Sequence, residues 1–201
     1  MRQPKVSIIV PIYNAGKYLV SCLDTLINQT LQDIEIILVL DCPTDGSDEI
    51  AKTYADKDNR IKLIVNEKNL HIGLSRNRGL EIATGEYIAF SDHDDYRELN
   101  MYEELYEIAQ SELSDIVFSK TTEIRNGEKK MWQFDMPFKQ DCREYCLIDL
   151  IGAGNYERDV SWFCNLHNAI YRKDLLLNND IHFCDTKKIT PEDAIFNIKS
   201  V

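Results

Sequence analysis

The chain has 201 residues, 44% of them hydrophobic and 28% charged, the balance of a soluble globular domain large enough for a full core. A formal net charge of −11 argues against a nucleic-acid partner held through a basic face. A chain this acidic needs a cation between itself and any phosphorylated ligand.

No apolar run approaches the ~20 residues that span a bilayer. Met1 to Lys5 lead directly into a strand pattern without a signal-peptide core, so the cytoplasm is the expected compartment. The six cysteines are then expected as free thiols. A zinc site from Cys142, Cys146, Cys164 and His167 is the competing thought, but its spacing fits no common module.

Val6 to Val10 is a near-continuous β-branched run, the pattern of a strand buried on both faces of a parallel sheet. Past Pro11-Ile12-Tyr13-Asn14, a helix is expected from Gly16 to Asn28, with Leu19, Cys22, Leu23, Leu26 and Ile27 at helical spacing. Residues 35–40 form the second strand, ending at Asp41. The Thr44-Asp45-Gly46 turn follows, and Ser47 is the expected N-cap of a helix through Asp56. Ile61 to Val65 is a third strand. Gly73 to Ala83 is a helix, with Gly85 as its expected C-cap. Glu86 to Phe90 is the fourth strand. Strand and helix thus alternate through residues 5–92, which predicts an open α/β sheet.

After that the alternation weakens. A helix is expected from Leu99 to Leu113 and a strand from Asp115 to Lys120. Asn126-Gly127 marks a hairpin between two candidate strands. Further helices are expected at 143–151 and through Leu177, with a strand inside 161–172. Thr190-Pro191-Glu192-Asp193 carries the signals of a helix start. Residues 1–201 are taken as one domain, with an α/β half at 1–95 and an irregular half at 96–201.

The chemistry concentrates at Ser91-Asp92-His93-Asp94-Asp95. Three carboxylates within four residues repel one another unless a cation lies between them, and hard divalent cations bridge such groups to phosphates. A solvated acidic turn is the plain alternative. In open α/β sheets, ligands bind beyond the carboxyl ends of the strands, and Tyr13, Asp41 and Asp92 to Asp95 all follow strands. Tyr13 offers a flat wall for a nucleobase or packs under the first helix. Asp41 accepts from a base N–H or caps the turn after it. Arg76 and Arg78 either meet phosphate or stay solvated. Glu192-Asp193 supplies a general base or caps its own helix. Neither a P-loop nor a dinucleotide fingerprint is present.

Taken in order, residues 6–14, Thr44-Asp45-Gly46-Ser47, Arg76-Asn77-Arg78-Gly79, residues 83–88, Asp92-His93-Asp94-Asp95 and Pro191-Glu192-Asp193 resemble the family 2 inverting glycosyltransferases. The resemblance implies a GT-A nucleotide-sugar-binding fold, a mainly parallel central sheet flanked by helices with an irregular acceptor-side C-terminal half. It implies donor binding by Pro11, Tyr13, Asp41, Arg76, Asp92 and Asp94, and Mn²⁺ or Mg²⁺ held by Asp94 and Asp95. Asp193 would be the catalytic base. The donor would be a nucleoside-diphosphate sugar, with a UDP-sugar expected. The acceptor would be a glycan or a lipid-linked group in polysaccharide biosynthesis at the cell envelope, without a transmembrane segment but with peripheral membrane association allowed.

Two departures stand against the pattern. Leu40-Asp41-Cys42-Pro43 replaces the family's Asp-Asp-Gly-Ser, and His93 is larger than the usual residue between the first two acids. Family members usually continue further after the late Glu-Asp pair, so a C-terminally truncated chain is expected. A nucleotidyltransferase would carry a Gly-rich loop where Pro11-Ile12-Tyr13-Asn14 stands, and a non-catalytic nucleotide-sugar-binding module is the other alternative.

Overall fold

The computed structural model describes residues 3–125, 128–132, 166–187 and Phe196. The Asn126-Gly127 turn, the helix expected at 143–151, the helix opening at Thr190 with Asp193, and Cys142, Cys146 and Cys164 lie outside the described residues.

Four parallel strands build the sheet: β1 (Val6–Ile12), β2 (Ile34–Leu40), β3 (Ile61–Val65) and β4 (Tyr87–Phe90). Between them run α1 (Tyr18–Ile27), α2 (Ser47–Lys57) and α3 (His71–Ile82), and α4 (Met101–Ser111) follows. β5 (Ile116–Phe118) comes next. β6 (Thr121–Arg125) and β7 (Glu128–Trp132) pair as a separate hairpin, as the Asn-Gly signal predicts. A 3₁₀ turn at Leu166–Asn168 leads into β8 (Ala169–Arg172) and α5 (Lys173–Asn178). The strand order is β3-β2-β1-β4-β8-β5, with β8 antiparallel to both neighbours. The expected mainly parallel α/β sheet is present. Among the described residues, no helix is long and apolar enough to cross a membrane.

The continuous apolar runs arise because both faces of the sheet are covered. Ile8, Val10 and Ile12 join Ile36, Leu38 and Leu40 in a core against Leu19, Leu23 and Leu26 of α1 and Tyr102 and Leu105 of α4. The alternate residues Ile9, Ile37 and Val39 face the other way, with Leu176 of α5 and Phe183. α3 also lies close to β1. A Cβ on Gly79 would stand 2.4 Å from Ile9 Cγ2, so only glycine permits this approach.

Three local expectations change. The Ser47 hydroxyl does not cap α2. It donates to Asp45 Oδ1 (2.6 Å) and accepts from the Ala15 N–H (3.1 Å), while Gly46 takes the cap position at φ 88°. Gly85 does not close α3, whose last residue is Ile82. It is needed because a Cβ there would stand 2.5 Å from Ser7 Oγ. Asp41 caps the start of α3 rather than the turn after itself, as described below.

The amino ends of the strands are tied by one buried acid. Glu35 of β2 accepts from the Ser7 hydroxyl on β1, from the Thr84 hydroxyl (3.0 Å) and from the Thr84 and Gly85 N–H groups, and it pairs with Lys62 of β3. Burial acts to raise its pKa, but Lys62 and the Ser7 and Thr84 donors outweigh it and hold the carboxyl below its ordinary 4.5. A depressed carboxylate contributes stability that is complete above its unfolded pKa and lost as pH falls through the folded value. Glu35→Gln is therefore expected to cost about 2 kcal/mol at pH 7. Urea unfolding should show that gap to the parent narrowing below pH ~4, where the parent loses the same charge.

Candidate functional site

The strand order runs outward from β1 in one direction through β2 and β3 and in the other through β4. Beyond the carboxyl ends of β1 and β4 lies the crevice where such sheets bind ligands. Pro11 belongs to β1, and Tyr13 stands just past its end with 48% of its surface exposed.

The loops around Tyr13 are stitched by side chains. Asn14, at φ 48°, accepts from the Thr44 N–H (2.8 Å) and Thr44 hydroxyl (3.3 Å). Asp45 accepts from the Gly16 N–H at 2.8 Å. The loop after β1 is thereby fixed to the loop after β2. Holding non-glycine residues at positive φ costs of order 1–3 kcal/mol each, which these bonds help to offset.

Asp41, at the end of β2, is buried. Its Oδ1 accepts from Asn66 Nδ2 (2.8 Å) and the Leu70 N–H (2.7 Å), and its Oδ2 from the His71 N–H (2.9 Å). Two of these donors open α3, so a carboxylate sits at a helix N-terminus where the dipole favours it. An ionised carboxylate has about four acceptor positions, which leaves Asp41 capacity for one further donor. Cys42 adopts φ 58° and donates through Sγ to the Asn66 carbonyl (3.3 Å).

Arg76 is the charged member of the buried face of α3, whose other members are Gly73, Ser75 and Gly79. These small neighbours let a guanidinium that is 1% exposed lie beneath the sheet edge. Its Nη2 donates to Asp92 Oδ1 at 2.8 Å, and its guanidinium lies 5.3 Å from the centre of the Phe183 ring. Burial acts to raise the Asp92 pKa, but Arg76, then His167 and Arg97, outweigh it and hold the carboxyl below 3.8.

His93 has a definite place. Its Nδ1 lies 3.2 Å from the Pro11 carbonyl oxygen. A carbonyl can only accept, so Nδ1 carries the proton, and the ring fastens the acidic loop to the end of β1.

One oxygen each of Asp92 and Asp95 and one ring nitrogen of His167 lie within 4.8 Å of one another. His167 Nδ1 stands 3.8 Å from both Asp92 Oδ2 and Asp95 Oδ2. Among the described residues, Asp95 Oδ2 is buried without a hydrogen-bond partner. Burial first, together with Arg97 and Arg76, lowers the His167 pKa against the pull of Asp95 and Asp92. A neutral imidazole offers a lone pair, and two carboxylates with one imidazole suit a divalent cation such as Mn²⁺. The residues present fit such an ion. Asp94 is exposed and stands outside this trio.

His167 and Arg97 were invisible to sequence reasoning as parts of this site. His167 arrives through the antiparallel strand: β8 pairs Ala89 with Ile170, so its amino end lies at the carboxyl edge of β4. No local signal at residue 167 could have shown that.

The sequence model for "Glycosyl transferase family 2" matches residues 7–178. The chain belongs to this family. It is 46% identical over 200 residues to the uncharacterized glycosyltransferase EpsJ of Bacillus subtilis (strain 168), covering 98% of this chain and 56% of EpsJ. It is 34% identical over 190 residues to glycosyltransferase GlyG of Streptococcus pneumoniae serotype 4, covering 93% of this chain and 62% of GlyG. The chain thus spans little more than half the length of these curated relatives.

Among solved structures, S. aureus TarS 1-349 in complex with UDP superposes with a TM-score of 0.76 at 27% identity, covering 98% of this chain and 54% of that one. The TarS complex with UDP-GlcNAc superposes at 0.75 and 28% identity, covering 98% of this chain and 53% of that one. The fold is the GT-A type expected for family 2.

The Arg76–Asp92 pair generates a stability prediction. Arg76→Met should leave Asp92 facing a buried apolar side chain, and breaking such a pair from one side costs about 3–5 kcal/mol. The midpoint of guanidinium unfolding should fall accordingly.

Proposed function

We propose that this chain carries the catalytic core of an inverting glycosyltransferase, acting on a nucleoside-diphosphate sugar, with a UDP-sugar as donor, and transferring to a hydroxyl of a glycan or lipid-linked acceptor. The observation that carries the reading is the grouping of Asp92, Asp95 and His167 at the carboxyl end of β4, on the same sheet edge as Tyr13 and Asp41. The UDP and UDP-GlcNAc bound to TarS support the choice of donor.

In this reading Tyr13 stacks on the base, and Asp41 uses its remaining acceptor capacity for a base N–H. Pro11 and Arg76 hold the acidic loop in place through His93 and Asp92. Asp92, Asp95 and His167 would hold a divalent ion, and the exposed Asp94 would face the donor. When bound, the ion supplies positive charge where the leaving diphosphate gains negative charge. Asp193 removes the proton from the acceptor hydroxyl, whose oxygen attacks the anomeric carbon opposite the leaving group and inverts it. The role of Asp193 rests on the resemblance carried by Pro191-Glu192-Asp193. Residues 1–95, joined by Arg97 and His167, then bind the donor, and the rest of 96–201 serves the acceptor side of a single domain.

Thermal unfolding across a panel of UDP-, GDP- and dTDP-sugars with Mn²⁺ tests the reading. A donor at a hundred times its Kd should add about 2.7 kcal/mol, or roughly 5–10 °C for a chain of this size. No shift with any donor would sink it. Asp193→Asn should keep that shift while transfer falls by ~10²–10⁴, the usual worth of a general base. A chain that binds donor but neither transfers nor hydrolyses it would be a binding module instead.

A further inference from the structure

Arg97 lies in the loop between β4 and α4, and nothing in the reading above uses it directly. Its backbone N–H donates to Thr25 Oγ1 on α1 at 3.2 Å, and its side chain runs inward until the residue is 6% exposed. Nη1 donates to the Tyr96 carbonyl at 3.2 Å. Among the described residues, Nε and Nη2 make no hydrogen bond. Nη2 stands 3.5 Å from Asp95 Oδ2, the buried oxygen that also lacks a partner.

An arginine meeting a carboxylate ordinarily closes a two-pronged hydrogen-bonded fork. Here the charge is held beside the carboxylate and the acceptor position stays open. Among the described residues, the other polar groups acting on it are the Tyr102 hydroxyl and the Cys22 thiol. The Cys22 thiol is pushed up to about 11, chiefly by burial, and burial likewise raises the Tyr102 hydroxyl, so both stay neutral. The Arg97 charge therefore stands 3.5 Å from Asp95 and acts on Asp92 and His167, lowering both pKa values. With Arg76 on Asp92, a buried cation stands behind each of the two carboxylates before any ion arrives.

We propose that Arg97 is a positioning residue that keeps divalent-cation affinity low until a nucleoside diphosphate is present, so that ion and nucleotide bind as a coupled pair. This rests on the donor-site reading above. An ion approaching Asp95 Oδ2 finds an open ligand and a fixed positive charge behind it. The diphosphate brings negative charge that also neutralises the guanidinium, so the repulsion is lifted while the nucleotide is bound. By linkage, each ligand then raises the affinity of the other by the same factor.

Calorimetric titration of the whole chain with Mn²⁺, with and without saturating UDP, tests this. Removing one positive charge about 6 Å from a divalent cation is worth about tenfold in affinity even at the dielectric of water, ~80. The parent chain should bind Mn²⁺ about tenfold or more tightly with UDP than without. Arg97→Gln should bind Mn²⁺ alone about tenfold more tightly than the parent, and the gain from UDP should shrink to match. Arg97→Lys, which keeps the charge, should restore the parent pattern.

A purely structural Arg97 would lower the melting temperature of Arg97→Gln and leave Mn²⁺ affinity unmoved, which overturns the proposal. Equal Mn²⁺ affinity with and without UDP in the parent chain overturns it too, whether or not Arg97→Gln folds. If the folded parent binds no UDP at any Mn²⁺ concentration, the donor-site reading itself falls.

Discussion

Asp92 and Asp95 stand side by side at the end of β4 because two guanidinium groups are buried behind them. Carboxylates this close repel strongly in a partly desolvated setting, and the loop between them would splay without compensating charge. Arg76 reaches Asp92 from α3 on one face of the sheet, and Arg97 reaches Asp95 from its place against α1 on the other. The two pairs differ in kind. Arg76 makes a hydrogen bond to Asp92, whereas Arg97 supplies charge at 3.5 Å and leaves the Asp95 oxygen open. One carboxylate is locked and its neighbour is held ready.

The helices are shaped to allow this. α3 is a poor amphipathic helix, whose buried side is mostly glycine and serine with Arg76 among them. Its packing depends on close backbone approach, with Gly79 against Ile9, rather than on large apolar side chains. A bulkier helix would fill the space the guanidinium needs. α1 contributes in a different way: Cys22 reaches the Asp92 carbonyl at 3.4 Å, and Thr25 holds the Arg97 backbone. The two layers around the sheet thus each deliver one cation and one set of anchors to the same edge.

Polar knots fix both ends of the strands. At the amino ends, Glu35 gathers Ser7, Lys62 and the Thr84-Gly85 turn. At the carboxyl ends, Asn14, Asp41 and Asp45 satisfy loop N–H groups that strands and helices leave open. Asn14, Cys42 and His71 take positive φ there, three of the five non-glycine residues that do so among the described residues. The loops are set in shape before a ligand binds, which lowers the ordering cost of binding.

The amino-acid sequence by itself determined the elements whose signal is local. Continuous β-branched runs named the parallel strands, helical spacing named α1 and α4, and the motifs from Val6 to Asp95 named the family. Those features repeat within ten residues or mark a strand end, so periodicity and topology rules reach them. The tertiary structure alone decided the rest. It turned Ser47, Gly85 and Asp41 to partners distant in sequence, seated His93 on Pro11, and brought His167 to Asp92 through the antiparallel strand β8. It also made Arg97 a buried charge rather than a surface one. The reason is physical: which side chains face one another across a sheet edge depends on strand register and helix approach, and neither is written at the residue itself.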